Sequence, residues 1–482
     1  MSVAFLQPWS GSARAAVVGS ERLLLASTVV VALVASALSA SPCPAQDAIR
    51  PWQEDPRFWE HRGRPVLLVG GSGDDNLFQM PEVEKHLDAM VAVGANYVRN
   101  TMSDRPDKGF EVYPFRQLPS GKYDLAQWND EYWDRFDRFL RATAERGIIV
   151  QIELWDRFDY ADSRSTNWTL HPYNPKNNVN YTAAESGLKH TYRQHPNNNE
   201  NPFFRAVPTL ENNEVVLPYQ QAQIDKLLSY SLAHSHVLYC IDNETSAAPE
   251  WPEYWAMRIR QRAEEAGVEV YITEMWDQWD PKGEHHRRTF DHPERYTFVD
   301  ISQNNHNRGQ AHWDNLQWVR DYLARHPRPL NTVKIYGADT GRFGNSRDGA
   351  ERFWRNLLGG AAGTRFHRPD AGLGLSEQAR AHIRSFRMLE AEFEFFGAVP
   401  DASSERLHSR EPNEAYLSVH PDHRYAVYFP NGGQVELALA QQDADYRVRW
   451  LDILHSRWSE AKSAAVESAL ALACPGGGHW VA

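Results

Sequence analysis

Short runs of apolar residues alternate along this chain with longer stretches in which apolar residues recur every three to four positions. A brief apolar run reads as a strand buried on both faces, and a 3.6-residue spacing reads as a helix with one buried face. The runs fall at 64–70, 96–100, 148–154, 237–241, 268–273, 295–301, 331–337 and 361–367. Helical spacing covers 82–93, 128–146, 220–234, 252–266, 313–325, 349–358 and 376–396. In the first of these Val83, Leu87, Met90 and Val91 share a face and Gly94 ends it; in the second Tyr132, Trp133, Phe136, Phe139 and Leu140 do so and Gly147 ends it. Such an order predicts an α/β protein built as a (β/α)8 TIM barrel. An open doubly wound sheet would carry a glycine-rich phosphate turn after an early strand. Gly70-Gly71-Ser72-Gly73 has that look, but Asp74 and Asp75 follow it and would repel a pyrophosphate.

Three segments break the pattern. Residues 157–217 are rich in Asn, Pro and Tyr and have little periodicity; an insertion of that length is usually functional or disordered. Its aromatics, Tyr160, Trp168, Tyr173, Tyr181, Phe203 and Phe204, predict an ordered lid over the barrel mouth with an apolar underside. After Pro400 the period shifts to two. Residues 425–430, the Asn431-Gly432-Gly433 turn and 434–439 predict a hairpin, and 446–452 and 478–482 add strands, so 401–482 is expected to be a small β-sandwich. At the other end, an apolar run at 23–38 is followed by small residues up to Ala45. That is the layout of a secretory signal over 1–45, too short for a membrane span, and implies a secreted or periplasmic protein with no span once it is removed. The barrel then occupies 46–400.

Composition narrows the chemistry. With 51 basic and 63 acidic residues the net charge is −12, and no arginine-rich stripe stands out, which argues against nucleic acid. Beyond the signal only Cys240 and Cys474 remain, so no disulfide framework is implied. Seventeen Trp and 20 Tyr are many for this length and suit stacking on sugar faces, with Trp155, Trp276 and Trp279 as platforms. His234 and His236 precede their strand, on the face away from the barrel mouth, and His285-His286 has no acid set at ligand spacing. No metal and no cofactor are expected.

A barrel keeps its chemistry where strands end. The fourth predicted strand runs directly into Asp242-Asn243-Glu244, which places Glu244 as the first candidate carboxylate. Cleaving a glycosidic bond commonly takes two carboxyl groups on opposite sides of it. The other strand-end acids are Asp74, Asp75, Glu153, Asp156, Glu274 and Asp339. Asp339 faces Glu244 across the mouth and Glu274 ends the adjacent strand, so either could be the second catalytic carboxylate. With Glu244 as an acid of raised pKa and Asp339 as a base, the shorter Asp side chain would leave room for water and favour inversion. Arg99, Asn100, Asn243, His306, Arg365 and His367 complete the set of strand-exit residues expected to bind substrate.

At these residues the sequence resembles a known group. The Asn243-Glu244 ending of the fourth strand, and Arg99 on the second, resemble the retaining glycoside hydrolases of clan A. Residues 70–100, 351–361 and 364–369 are similar to the apiosidase-like bacterial barrels, and 425–439 and 447–458 to the collagen-binding-type domain that often follows them. The resemblance implies a secreted glycoside hydrolase acting on plant or algal polysaccharide fragments. One departure stands out: the clan places a Glu nucleophile at the end of strand seven, and 334–339 here contains none. That departure keeps a second reading open, a non-catalytic carbohydrate-binding barrel.

Overall fold

The computed structural model describes residues 48–482 apart from 164, 196–199, 340, 342, 441–443 and 467–468. The expected signal segment lies outside the described residues. Eight parallel strands carry the main body: β1 (Leu68–Gly71), β2 (Tyr97–Thr101), β3 (Ile149–Asp156), β4 (Val237–Asn243), β5 (Ile272–Thr273), β6 (Val299–Asp300), β7 (Leu330–Ile335) and β8 (Gly363–Phe366). They form two four-stranded sheets, ordered β5-β4-β3-β2 and β6-β7-β8-β1. Backbone hydrogen bonds cross the two seams, among them Asn96 N–H to Val69 O at 2.9 Å and Thr297 N–H to Ile272 O at 2.9 Å. This circular order fits a (β/α)8 barrel.

A helix follows each strand: α1 (Val83–Val91), α2 (Asp130–Glu145), α3 (Leu217–Ser231), α4 (Glu250–Ala266), α5 (Glu284–Phe290), α6 (Gly309–Leu323), α7 (Ser346–Leu358) and α8 (Glu377–Glu390). Each turns its apolar stripe onto the sheets; in α2 this is Tyr132, Trp133, Phe136, Phe139 and Leu140, all buried. Helix α7 begins three residues before its apolar pattern does, because Asn345 and Asp348 form a capping box there.

Several expected elements are redrawn. Residues 64–70 are two elements: Arg64–Val66 pairs antiparallel with Trp59–His61, and only then does β1 start. That hairpin brings Trp59, wholly buried, beneath the barrel, where its indole N–H donates to Asn331 Oδ1 at 3.0 Å. Position 70 inside β1 is glycine because a Cβ there would meet Tyr97 O at 1.9 Å. The fifth and sixth strands are only two residues each, much shorter than their apolar runs.

The 425–439 hairpin does not form. Arg424–Phe429 lies between Tyr416–His420 and Trp480–Val481 in a six-stranded antiparallel sheet, whereas Gln434–Ala438 pairs with Leu407–His408 and Ala469–Ala473 in another. The turn between them, with Gly432 and Gly433 both at positive φ, crosses from one sheet to the other. Leu417, Val427, Phe429, Val435, Leu437 and Leu472 fill the space between, which fits a β-sandwich. Its outer face is joined to the barrel helices: Trp354 of α7 stacks on Tyr428 at 5.5 Å and donates its N–H to His382 of α8. No helix among the described residues is long and apolar enough to cross a membrane.

Candidate active site

Strand β4 is buried along its whole length, so the chain leaving it has little freedom until Glu244. Glu244 takes a left-handed conformation, φ 56°, which a non-glycine residue adopts at a cost of about 1–3 kcal/mol. Its partners come from β7. Lys334 and Tyr336 are two residues apart, and the period of a strand sends both to one side. Lys334 Nζ donates to Glu244 Oε1 at 2.6 Å and Tyr336 Oη donates to the same oxygen at 2.8 Å. The ammonium also donates to Asn243 Oδ1. Asn243 in turn donates to Asp156 Oδ1 at 3.0 Å, and Asp156 accepts from Arg105 at 2.9 Å.

These contacts set the charge state. Burial opposes ionisation of Glu244, but Lys334 and then Tyr336 outweigh it and hold its carboxyl well below the usual range. The Tyr336 phenol moves the other way, raised by burial and by the Glu244 charge, so it is a neutral donor. Glu244 was expected to be an acid of raised pKa. The structure reverses this: its neighbours are a cation and a phenol, not carboxylates.

A cavity of about 720 Å³ opens at the C-terminal ends of the strands, with Glu244 in its wall. Of the residues read from sequence, Asp75, Arg99, Asn243, Trp279, His306 and His367 line it with Glu244. Arg99 does not reach out as a free cation: its guanidinium donates to Asp75 and to Glu153 at 2.6 Å each, with all three side chains buried. Burial opposes the charge on Asp75, but Arg99 and then Arg368 hold its pKa well down, while burial raises that of Glu153. Burial keeps the His367 imidazole neutral.

The other expected residues lie elsewhere. Asp339 is exposed and accepts from Ser346 N–H and Oγ at 3.2 and 2.8 Å, at the start of α7, and is not among the cavity residues. The strand has already ended at Ile335, and three more residues carry the carboxylate past the mouth. Glu274 is fully buried behind the wall, accepting from the backbone N–H of Asp242 and Met275; burial, and secondarily Asp242, raise its pKa well above the usual range. Glu153 and Asp156 are second-layer partners of Arg99 and Arg105. Asp74 accepts from the Asp75 N–H, Asn100 accepts from the Phe78 N–H, and Arg365 donates to Val333 O. Trp155 packs against Trp255 and Phe203, and Trp276, wholly buried, donates to Thr289. None of these lines the cavity.

Lys334, Tyr336, Asp277, Arg105, Arg368 and Phe343 line the cavity and were not singled out from sequence. A lysine inside a strand expected to be buried on both faces was the available signal, since a buried ammonium requires a carboxylate partner. Asp277 reaches the cavity because the chain after β5 runs beside the chain after β4: Thr245 bridges Trp276, and Asp277 N–H donates to Thr245 O at 2.7 Å. The 157–217 insertion supplies one wall through Phe158, Ala161, Ser163, Ser165, Asn167 and His195. Its larger aromatics do not face the cavity. Tyr160, Trp168, Tyr173, Phe203 and Phe204 are buried in one another and against Trp251, as part of the main hydrophobic core.

No protein-family model matches the chain, and no curated protein matches it in sequence. Solved structures do match. A family 5 glycoside hydrolase from Bacteroides vulgatus superposes with a TM-score of 0.61 at 13% identity, over 90% of this chain and 93% of that one. A second structure described as a glycoside hydrolase gives 0.60 at 12%, over 90% and 96%. A family 5 mannosidase from Rhizomucor miehei, in complex with mannosyl-fructose, gives 0.50 at 11%, over 72% and 98%. The shared property is the fold. In this frame β7 presents Lys334 and Tyr336 toward the β4 glutamate, and its expected acid, Asp339, lies outside the cavity.

Proposed function

We propose that the chain is a glycoside hydrolase in which Glu244 acts ionised, as the nucleophile. The observation that carries this reading is the Lys334–Glu244–Tyr336 cluster in the wall of a mouth cavity. A general base works best with a pKa near the working pH, and Glu244 is held far below it. A nucleophile needs only to be ionised, and a stabilised carboxylate also departs more readily from a glycosyl intermediate. Glu244 would attack the anomeric carbon as the glycosidic C–O bond breaks. Asp277, on the adjacent strand exit, is the proposed proton donor to the departing oxygen. Water then displaces Glu244 and returns its proton to Asp277, with net retention.

The fold neighbours support a saccharide substrate, and the cavity suits a fragment rather than a long polymer, because the 157–217 insertion walls one side. Plant or algal polysaccharide fragments, secretion through the 1–45 segment, an apiosidase-like subtype and an accessory role for 401–482 belong to the same proposal. The test is reducing-sugar release from a panel of polysaccharides and oligosaccharides, mannosides among them, by wild type and Glu244→Gln. Hydrolysis by wild type and none by the variant is expected.

A second reading, a carbohydrate-binding barrel without turnover, is favoured by one observation: Lys334 neutralises Glu244 from the strand on which the clan carries its nucleophile. Saccharide binding with no hydrolysis by wild type would select it.

A further inference from the structure

Among the described residues, the large apolar side chains left out in solvent include one aromatic, Trp279, at 62% exposure. It lines the cavity that holds Glu244. Nothing about its backbone is loose. Asp277 N–H donates to Thr245 O at 2.7 Å, the Gln278 carbonyl is 2.7 Å from a His286 ring nitrogen, and the Trp279 carbonyl accepts from Asn307 Nδ2 at 3.0 Å. Three successive residues are thus pinned to three different segments while the indole between them stays uncovered. The other large tryptophans of this region, Trp155, Trp251, Trp255 and Trp276, are all buried.

A rigidly mounted and exposed indole at the edge of a polar cavity matches the apolar face of a pyranose ring, whose C–H bonds meet the π-cloud while its hydroxyls stay wet. Trp279 is two residues beyond Asp277, and two residues of extended chain span at most about 7 Å. Trp279, Asp277 and Glu244 line one cavity, so a ring on Trp279 would belong to the same bound saccharide as the ring cleaved at Glu244. We propose that Trp279 is the stacking platform of an outer subsite, and that the substrate is an oligosaccharide at least two sugar units long. This rests on the reading of the cavity as a saccharide site and adds a length requirement to it.

The test is calorimetric titration of Glu244→Gln, in which ligand persists, with manno-, xylo- and cello-oligosaccharides from monosaccharide to hexasaccharide. It is repeated with Trp279→Ala and Trp279→Phe added. Affinity should rise with chain length, and Trp279→Ala should weaken the longer ligands by roughly 3- to 10-fold and flatten the rise. Trp279→Phe should restore most of it. Affinities in Trp279→Ala that match those of Glu244→Gln alone at every length overturn the platform while leaving the hydrolase reading standing. If no saccharide in any series binds, the saccharide reading fails and the platform fails with it.

Discussion

Lys334 of β7 and Glu244 beyond β4 meet at 2.6 Å with 2% and 12% of their side chains exposed, and Tyr336 shares the same carboxylate oxygen. This one contact ties together opposite sides of the barrel mouth and fixes the charge on the proposed nucleophile. A glutamate held below its ordinary pKa of about 4.3 contributes stability above that pH, which is lost as pH falls through the native value. Lys334→Met should remove the contribution and strand a buried charge, costing roughly 3–5 kcal/mol at neutral pH. With the cation gone, burial raises the Glu244 pKa, so the acid limb of the activity profile should move to higher pH. Urea unfolding and a pH–rate profile read the two effects. Lys334→Met with Glu244→Gln should recover much of the lost stability, because no unpaired charge remains.

The nucleophile assignment has its own chemical test. Glu244→Ala should be inactive, and azide should restore turnover of an activated aryl glycoside and leave a glycosyl azide as product. Rescue without a glycosyl azide, or an inverted first-formed sugar from wild type by proton NMR, would take the role away from Glu244.

Asp339 is bonded to Ser346 and stands outside the cavity. Asp339→Asn should therefore hydrolyse substrate at the wild-type rate, whereas Asp277→Asn should lose turnover chiefly on substrates with poor leaving groups. Comparing aryl glycosides of graded leaving-group acidity separates the two. Loss of activity in Asp339→Asn would contradict the placement.

Glu274 gives a pH prediction of opposite sign. Burial raises its native pKa, so its contribution is complete below about pH 4.3 and is lost as pH rises toward the native value. Glu274→Gln keeps the shape and removes the titration. Its stability relative to wild type should thus increase from pH 4 upward, measured by chemical unfolding across that range.

Arg99 is held between Asp75 and Glu153 as a buried clamp, which implies a structural role under the cavity wall. Arg99→Lys keeps the charge but cannot donate to both carboxylates in the same geometry. It should be destabilised by roughly 1–3 kcal/mol, with a smaller loss than Arg99→Met. Equal stability of the two variants in urea would show that charge alone sustains the clamp.

The periodicity of the chain determined most of the parallel strands and of the helices that follow them, because burial on two faces or on one stripe leaves a local imprint at period two or 3.6. It also singled out Glu244, as a carboxylate that directly follows a strand buried along its whole length. Tertiary structure decided the rest. The 425–439 segments looked like a hairpin because a short glycine turn separates two alternating runs; which sheet each joins depends on partners such as Tyr416–His420 and Ala469–Ala473, distant in sequence. Glu274 directly follows β5 yet stays behind the wall, and Asp339 lies four residues past the end of β7, outside the cavity, a difference of a few residues' travel that no local pattern encodes. The ionised state of Glu244 was equally hidden. It depends on Lys334 and Tyr336, ninety residues away in the chain, and a pKa is set by what surrounds a group in space.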